Sequence, residues 1–215
     1  MLVYSSDNSS SLKNYQGISE EISNWLHDFL ASENPHLGRK GAVCPYVKKS
    51  LALDSTFISI CPTTPNPKKD NIIINLMENS AIFRLLDSIR DKSVFNCMLI
   101  VFPDLSDQEV HLIDQIQRKK KEYFLEKGLM LGEFHNANNS KGLHNKEFKP
   151  FQSPYPMLAI RKMVHQDLPF MDLDTDTPKK RHRYLSIYRD NFNSKLKPVD
   201  RQKLAARIDY LEKIL

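Results

Sequence analysis

The chain has 215 residues, 40% of them hydrophobic and 27% charged, which suits one well-buried core and excludes a fibrous or wholly disordered protein. Lys and Arg outnumber Asp and Glu by 31 to 26, for a formal charge of +5. That excess favours anions at the surface but is too small to imply a nucleic-acid partner.

No apolar run approaches the ~20 residues of a membrane span. The start of the chain, with Ser5, Ser6, Asp7 and Asn8, lacks the basic-then-apolar order of a signal peptide. The expected location is cytoplasmic, with no membrane partner. Cys44, Cys61 and Cys97 agree with this, because three cysteines at irregular spacing make no disulfide framework and include no C-x-x-C pair.

The polar, Ser-rich residues 1–16 read as a loose tail. Ile18, Ile22, Trp25, Leu26, Phe29 and Leu30 recur at helical spacing, so a helix is predicted to run to about Ser32, stopped before Pro35. Residues 33–46 follow as an irregular loop. Residues 56–61 are rich in β-branched types and read as a strand. After a turn-rich stretch, residues 71–90 read as a helix with Ile72, Leu76, Ile82, Phe83, Leu86 and Ile89 inward. Residues 94–102 are nearly all apolar, which predicts a central strand buried on both faces.

Ser106-Asp107-Gln108-Glu109 has the form of a capping box, and the helix it opens turns Val110, Ile113, Ile116, Tyr123 and Phe124 inward. Gly128 ends that helix as a left-handed stop. Residues 129–134 are a short strand, residues 136–149 a polar loop and residues 156–164 another strand. Two helices from about Lys179 are split at Pro198. The expected fold is a single α+β domain over residues 17–197, with a C-terminal helix at 198–215. Its mixed sheet has about four strands, helices on one face and a C-terminal helical pair.

The strand ends and the loops beyond them hold most of the candidate chemistry. Glu133 and His135 lie two apart on a strand and so share a face. With His144 from the following loop they make two imidazoles and a carboxylate, the ligand set of a non-heme iron site. The plainer alternative is that His135 and His144 hydrogen-bond the long loop and hold it down. His36 lies in the early loop near Cys44, and His165 follows a strand with Asp167 two positions on.

Cys44-Pro45 and Cys61-Pro62 are both of a kind seen at thiolate–heme contacts. Cys61 suits a buried strand end. Cys44, close in sequence to His36, Arg39 and Lys40, is the better nucleophile. The basic run from Arg118 to Lys121 reads as a solvated helix face, and Lys179, Lys180, Arg181 and Arg183 as a run that could meet an anion. No Gly-rich phosphate loop is present.

Taken together, Gly41-Ala42-Val43-Cys44-Pro45-Tyr46, Gly132-Glu133-Phe134-His135, Gly142-Leu143-His144-Asn145, the stretch from Ser153 to Arg161, and Asp167-Leu168-Pro169-Phe170 form a pattern. It resembles an uncharacterised bacterial domain family found near specialised-metabolite biosynthesis genes, over residues 18–195. More distantly, the layout is similar to heme-dependent N-hydroxylases of guanidino compounds, through Phe102 to Val110 and Gly142-Leu143-His144. Where those enzymes carry an Arg-rich stretch after the turn, this chain has Asn145 to Pro150.

That likeness implies a heme- or iron-dependent oxygenase acting on a small amino-acid-like metabolite. It implies His144 as the iron ligand, with His135 second or distal. It also implies an apolar wall including Phe148, and Arg161 and Lys149 facing propionates or a substrate carboxylate. Two other expectations stand beside it. One is a non-catalytic accessory protein that docks to a biosynthetic enzyme or a second copy through Leu204, Ile208, Leu211 and Leu215. The other is a cofactor-free enzyme using Cys44.

Overall fold

The computed structural model describes residues 2–5, 12–90 and 93–215. Among the described residues five strands are formed: β1 (Leu2–Ser5), β2 (Thr56–Ile60), β3 (Cys97–Val101), β4 (Leu129–Phe134) and β5 (Met157–Lys162). The α-helices are α1 (Leu12–Trp25), α2 (Val47–Ala52), α3 (Lys69–Ile89), α4 (His111–Glu126), α5 (Pro178–Phe192) and α6 (Pro198–Lys213). The strand order is β1-β2-β3-β5-β4, with β1, β2 and β3 parallel and β5 antiparallel to β3. No helix among the described residues is long and apolar enough to cross a membrane.

The expected mixed α+β sheet and C-terminal helical pair are present, and the structure extends the expectation. A strand stands where a loose tail is expected: Leu2–Ser5 pair with Phe57 to Ile60. All five residues of β2 are buried, so its backbone edge requires a partner and β1 supplies one. Residues 12–16 belong to α1, while Met1 and residues 6–11 of the predicted tail lie outside the described residues.

The chain divides into two compact units. One comprises Met1–Lys120 and Leu131–Lys162, the other Lys121–Met130 and Met163–Leu215. In the first, β3 lies between β2 and β5, and Met98, Leu99, Ile100 and Val101 are all buried. Leu99 and Val101 share a face with Ile58, Ile60, Met157 and Ala159. Against that face pack Ile22 of α1, Leu26 and Leu30 of a π-helical turn (Leu26–Leu30), and Leu37 and Val43 of the loop that follows. The opposite face, with Phe57 and Ser59, meets α3: Asn79 donates to Cys61 Sγ at 3.5 Å, and the Arg90 guanidinium lies 5.6 Å from the Phe57 ring. Helical segments thus cover both faces rather than one. On α3, Ile72, Leu76 and Phe83 point inward as predicted, but Ile89 is 69% exposed.

In the second unit, α5 and α6 enclose a core of Tyr184, Tyr188, Phe192, Leu204, Ile208 and Leu211. The stripe read as a docking face is therefore internal at Leu204, Ile208 and Leu211, and only Leu215 is exposed. α6 begins at Pro198 and contributes Leu204, Ile208 and Leu211 to this core. Lys121, expected on a solvated face, is buried, with its Nζ 3.1 Å from Asp176 and 4.5 Å from the Tyr184 ring centroid. The two arginines of the second basic run are paired within the unit, Arg183 with Glu122 and Glu126 and Arg181 with Asp172, while Lys179 and Lys180 are exposed.

Leu211→Ala is expected to cost ~2–5 kcal/mol in urea unfolding, as a buried leucine leaves a cavity. Leu215→Ala should stay within about 0.5 kcal/mol. Equal effects would contradict the inward packing of the stripe.

Asp172 accepts from both Arg181 and Arg207, at 2.6 and 2.7 Å. Burial raises its carboxyl, but the hydrogen bonds and charges of Arg207 and Arg181 outweigh that and hold it below the ordinary 3.8. A depressed carboxyl contributes stability that is fully present above the unfolded value and lost as pH falls through the lower folded value. Asp172→Asn should therefore flatten the acid limb of stability below about pH 4, measured by thermal unfolding across pH.

Candidate functional site

The π-helical turn sets one wall of an open pocket. Ala31 N–H donates to Leu26 O at 2.8 Å, five residues back, so the turn holds one residue more than an α-helical turn. Leu26 and Leu30 remain in the core, while Trp25 and Phe29 stack, with centroids 6.4 Å apart and planes 25° from parallel. Phe29 meets Phe148 at 5.9 Å. Trp25 also meets Phe134 edge-on at 5.5 Å, and Phe134 meets Phe151 at the same distance. The indole N–H donates to Gln152 O at 3.1 Å, which satisfies the polar end of an otherwise apolar side chain.

The Gly142-Leu143-His144-Asn145 motif closes this wall onto the early loop. Asn145 Nδ2 donates to His36 O at 2.8 Å, and Asn145 Oδ1 accepts from Glu147 N–H at 3.0 Å. Gly38 has φ +79°, and a Cβ there would stand 2.9 Å from His144 O, so both the conformation and the space demand glycine. Gly142 is similarly crowded, with Asn145 O 2.7 Å from any added Cβ. The motif is a clamp between two loops.

The cavity so formed has a volume of about 690 Å³ and opens to solvent. Trp25, Phe29 and Phe148 make its apolar side, and His36, Glu147 and Lys149 bring titratable groups to it. Lys149 Nζ donates to Asn139 O at 3.2 Å, which steadies the ammonium and leaves its other donors available. The His36 ring has no hydrogen-bond partner among the described residues.

The residues expected from the sequence are only partly gathered here. Phe148 and Lys149 line the pocket; Glu133, His135, His144, Cys44 and Arg161 do not. His135 is buried at the end of β4, its Nε2 3.1 Å from Asp114 Oδ1 and its Nδ1 without a partner. His144 is exposed on the loop. Glu133 is half-buried, and its carbonyl accepts from Asn138 at 3.5 Å. Arg161 lies 5.7 Å from the Tyr46 ring, opposite Cys97 across the sheet.

Among the described residues no group of three or more His, Cys, Asp or Glu side chains could hold a metal ion, so the Glu133, His135 and His144 set is not assembled. An iron-bound imidazole needs one nitrogen facing an open coordination position and the other N–H on an acceptor. His135 has an acceptor in Asp114, but its remaining nitrogen faces packed protein. His144 is open but has no acceptor among the described residues. Neither meets both requirements of a heme ligand.

Sequence reasoning missed Trp25 and Phe29, whose helical spacing reads as core, and Asp114, which carries no motif. The useful signal was the size and polar N–H of Trp25, which favour a half-buried position with a partner. A second hollow of about 400 Å³ lies by Thr63, Asp104 and Glu109. Its carboxylates serve loop bonds: Asp104 accepts from Thr63 N–H and Glu109 from the Ser106 N–H and hydroxyl. The Ser106 bonds hold the Glu109 carboxyl low.

A family model matches residues 19–203, a span that contains every residue lining the larger pocket. The chain belongs to the domain of unknown function family DUF6875. No curated protein and no solved structure matches it. Membership in DUF6875 covers both loops of the clamp and ends just before Leu204.

Asn145→Ala removes two loop hydrogen bonds, each worth about 1 kcal/mol net. Amide exchange at residues 36–38 and 147 should speed by roughly 10-fold, with far less change in β3. Unchanged exchange in both loops would show that Asn145 does not clamp them.

Proposed function

We propose that the pocket bounded by Trp25, Phe29, Phe148, His36, Glu147 and Lys149 binds a small zwitterionic, amino-acid-like metabolite. The observation that carries this reading is an apolar aromatic wall flanked by one ammonium and one carboxylate on the same cavity. Lys149 suits the ligand's carboxylate. The aromatic faces and Glu147 suit its cationic end, through cation–π attraction and ion pairing. A volume of about 690 Å³ lies within the usual ~300–1,000 Å³ of small-molecule sites.

His36 and Glu147 also offer an acid–base pair, so proton transfer is the chemistry these side chains can supply themselves. The bacterial, specialised-metabolite setting implied by the motif resemblance agrees with such a ligand. The oxygenase reading loses its support at the ligand positions, since His135 and His144 do not fit a heme iron. Docking as an accessory protein is not favoured, because most of the stripe that suggested it is internal.

Trp25 is the chain's single tryptophan, so its fluorescence reports the pocket directly. Titration with a panel of free amino acids and guanidino acids should change its emission saturably for at least one of them. Lys149→Ala should weaken that ligand by ~10-fold or more, as expected when a charge-assisted hydrogen bond is lost. A panel without effect on Trp25 would overturn the reading. So would a Soret band on hemin addition that disappears in His36→Ala, which would make the pocket a heme site instead.

A further inference from the structure

The segments that carry Cys44 and Cys97 come together from distant parts of the chain. Cys97 opens β3, and its partner across the sheet is Arg161 on β5. The Arg161 guanidinium lies 5.7 Å from the Tyr46 ring, and that ring lies 6.1 Å from Phe95. Tyr46 is two residues after Cys44 and Phe95 two before Cys97, so the segments around the two cysteines neighbour each other. Both cysteines are half-buried and packed against the same core cluster. Cys61 is different: it is fully buried, and its sulfur accepts from Asn79.

We propose that Cys44 and Cys97 form a reversible disulfide under peroxide, fastening the loop of residues 33–46 to β3. In the first step the Cys44 sulfur attacks a peroxide oxygen. An S–O bond forms, the O–O bond breaks, and Cys44 becomes a sulfenic acid as one water leaves. In the second step the Cys97 sulfur attacks the Cys44 sulfur. The S–S bond forms, the S–O bond breaks, and the departing hydroxide takes the Cys97 proton as a second water. Two thiols lose two electrons in all, and one peroxide gains them.

The order of attack follows from the surroundings. Burial pushes the Cys97 thiol up to about 12, with the Arg161 charge opposing and Cys44 adding to the rise. A thiol that holds its proton so firmly reacts slowly with peroxide from solution, which leaves the first step to Cys44. Cys97 reacts in the second because the Cys44 sulfenic acid forms on a neighbouring segment and its departing hydroxide takes the Cys97 proton. Closure would tie the loop that carries His36 and Gly38 to the central strand.

The test treats the full chain with hydrogen peroxide and reads the intact mass and free thiols under denaturing, non-reducing conditions. The expected result is a loss of about 2 Da, a fall from three titratable thiols to one, and a Cys44–Cys97 peptide that dithiothreitol removes. Cys61→Ser should leave the 2 Da loss intact, and Cys44→Ser should abolish it. Sulfinic acid on Cys44 with Cys97 still reduced would overturn the proposal. So would a bridge between chains, or three thiols left after treatment. These readouts do not depend on what the pocket binds.

Discussion

Strand β3 has a hydrogen-bonded neighbour on each side and apolar side chains on both faces, and the first unit is built outward from it. A strand so enclosed has no backbone group left for water, so its neighbours must pair fully. Its parallel pairing with β2 sends the chain back through α3 on one face. Its antiparallel pairing with β5 completes the sheet on the other side. Alternation along β3 then sorts its side chains: Leu99 and Val101 face the end of α1 and the π-helical turn, which present Trp25 and Phe29 at the edge of the core. The pocket's position is thus a consequence of how one strand is buried.

Much of this is legible in the residues themselves. The apolar run ending at Phe102 announces a central strand and Gly128 stops α4 with φ +69°, whereas the Ser106–Glu109 pair closes a turn ahead of α4, which begins only at His111. These are local signals, set by steric and hydrogen-bonding preferences within a few residues. What escaped depends on partners far along the chain. The pairing of Leu2–Ser5 with β2 cannot be seen in a Ser-rich start, and Lys121 looks solvated until Asp176 and Tyr184 are placed beside it. Trp25 reads as core because periodicity reports which side of a helix is apolar, not where the core ends.

The candidate site shows the same division more sharply. Glycine, histidine and asparagine in a polar loop suggest either a tied turn or a ligand set, and spacing cannot choose between them. The backbone contacts do choose. Asn145 spends both ends of its amide on loop hydrogen bonds, and the carbonyl of His144 closes on Gly38. The conspicuous residues are the frame, and the groups left available inside it are the less conspicuous His36, Glu147 and Lys149. This is a physical expectation for built pockets, in which most polar atoms fix the walls and only a few face the ligand.

The approach of Gly38 to His144 reaches beyond the single chain. A side chain at position 38 would need left-handed backbone and would also have to displace a carbonyl in a loop more than a hundred residues away. Neither loop can drift alone without opening the other. Across DUF6875, insertions and deletions should therefore be excluded together from the stretches around 34–38 and 142–148, even where the residues between those stretches differ freely. Beyond the two glycines at 38 and 142, loop length is the property this contact protects.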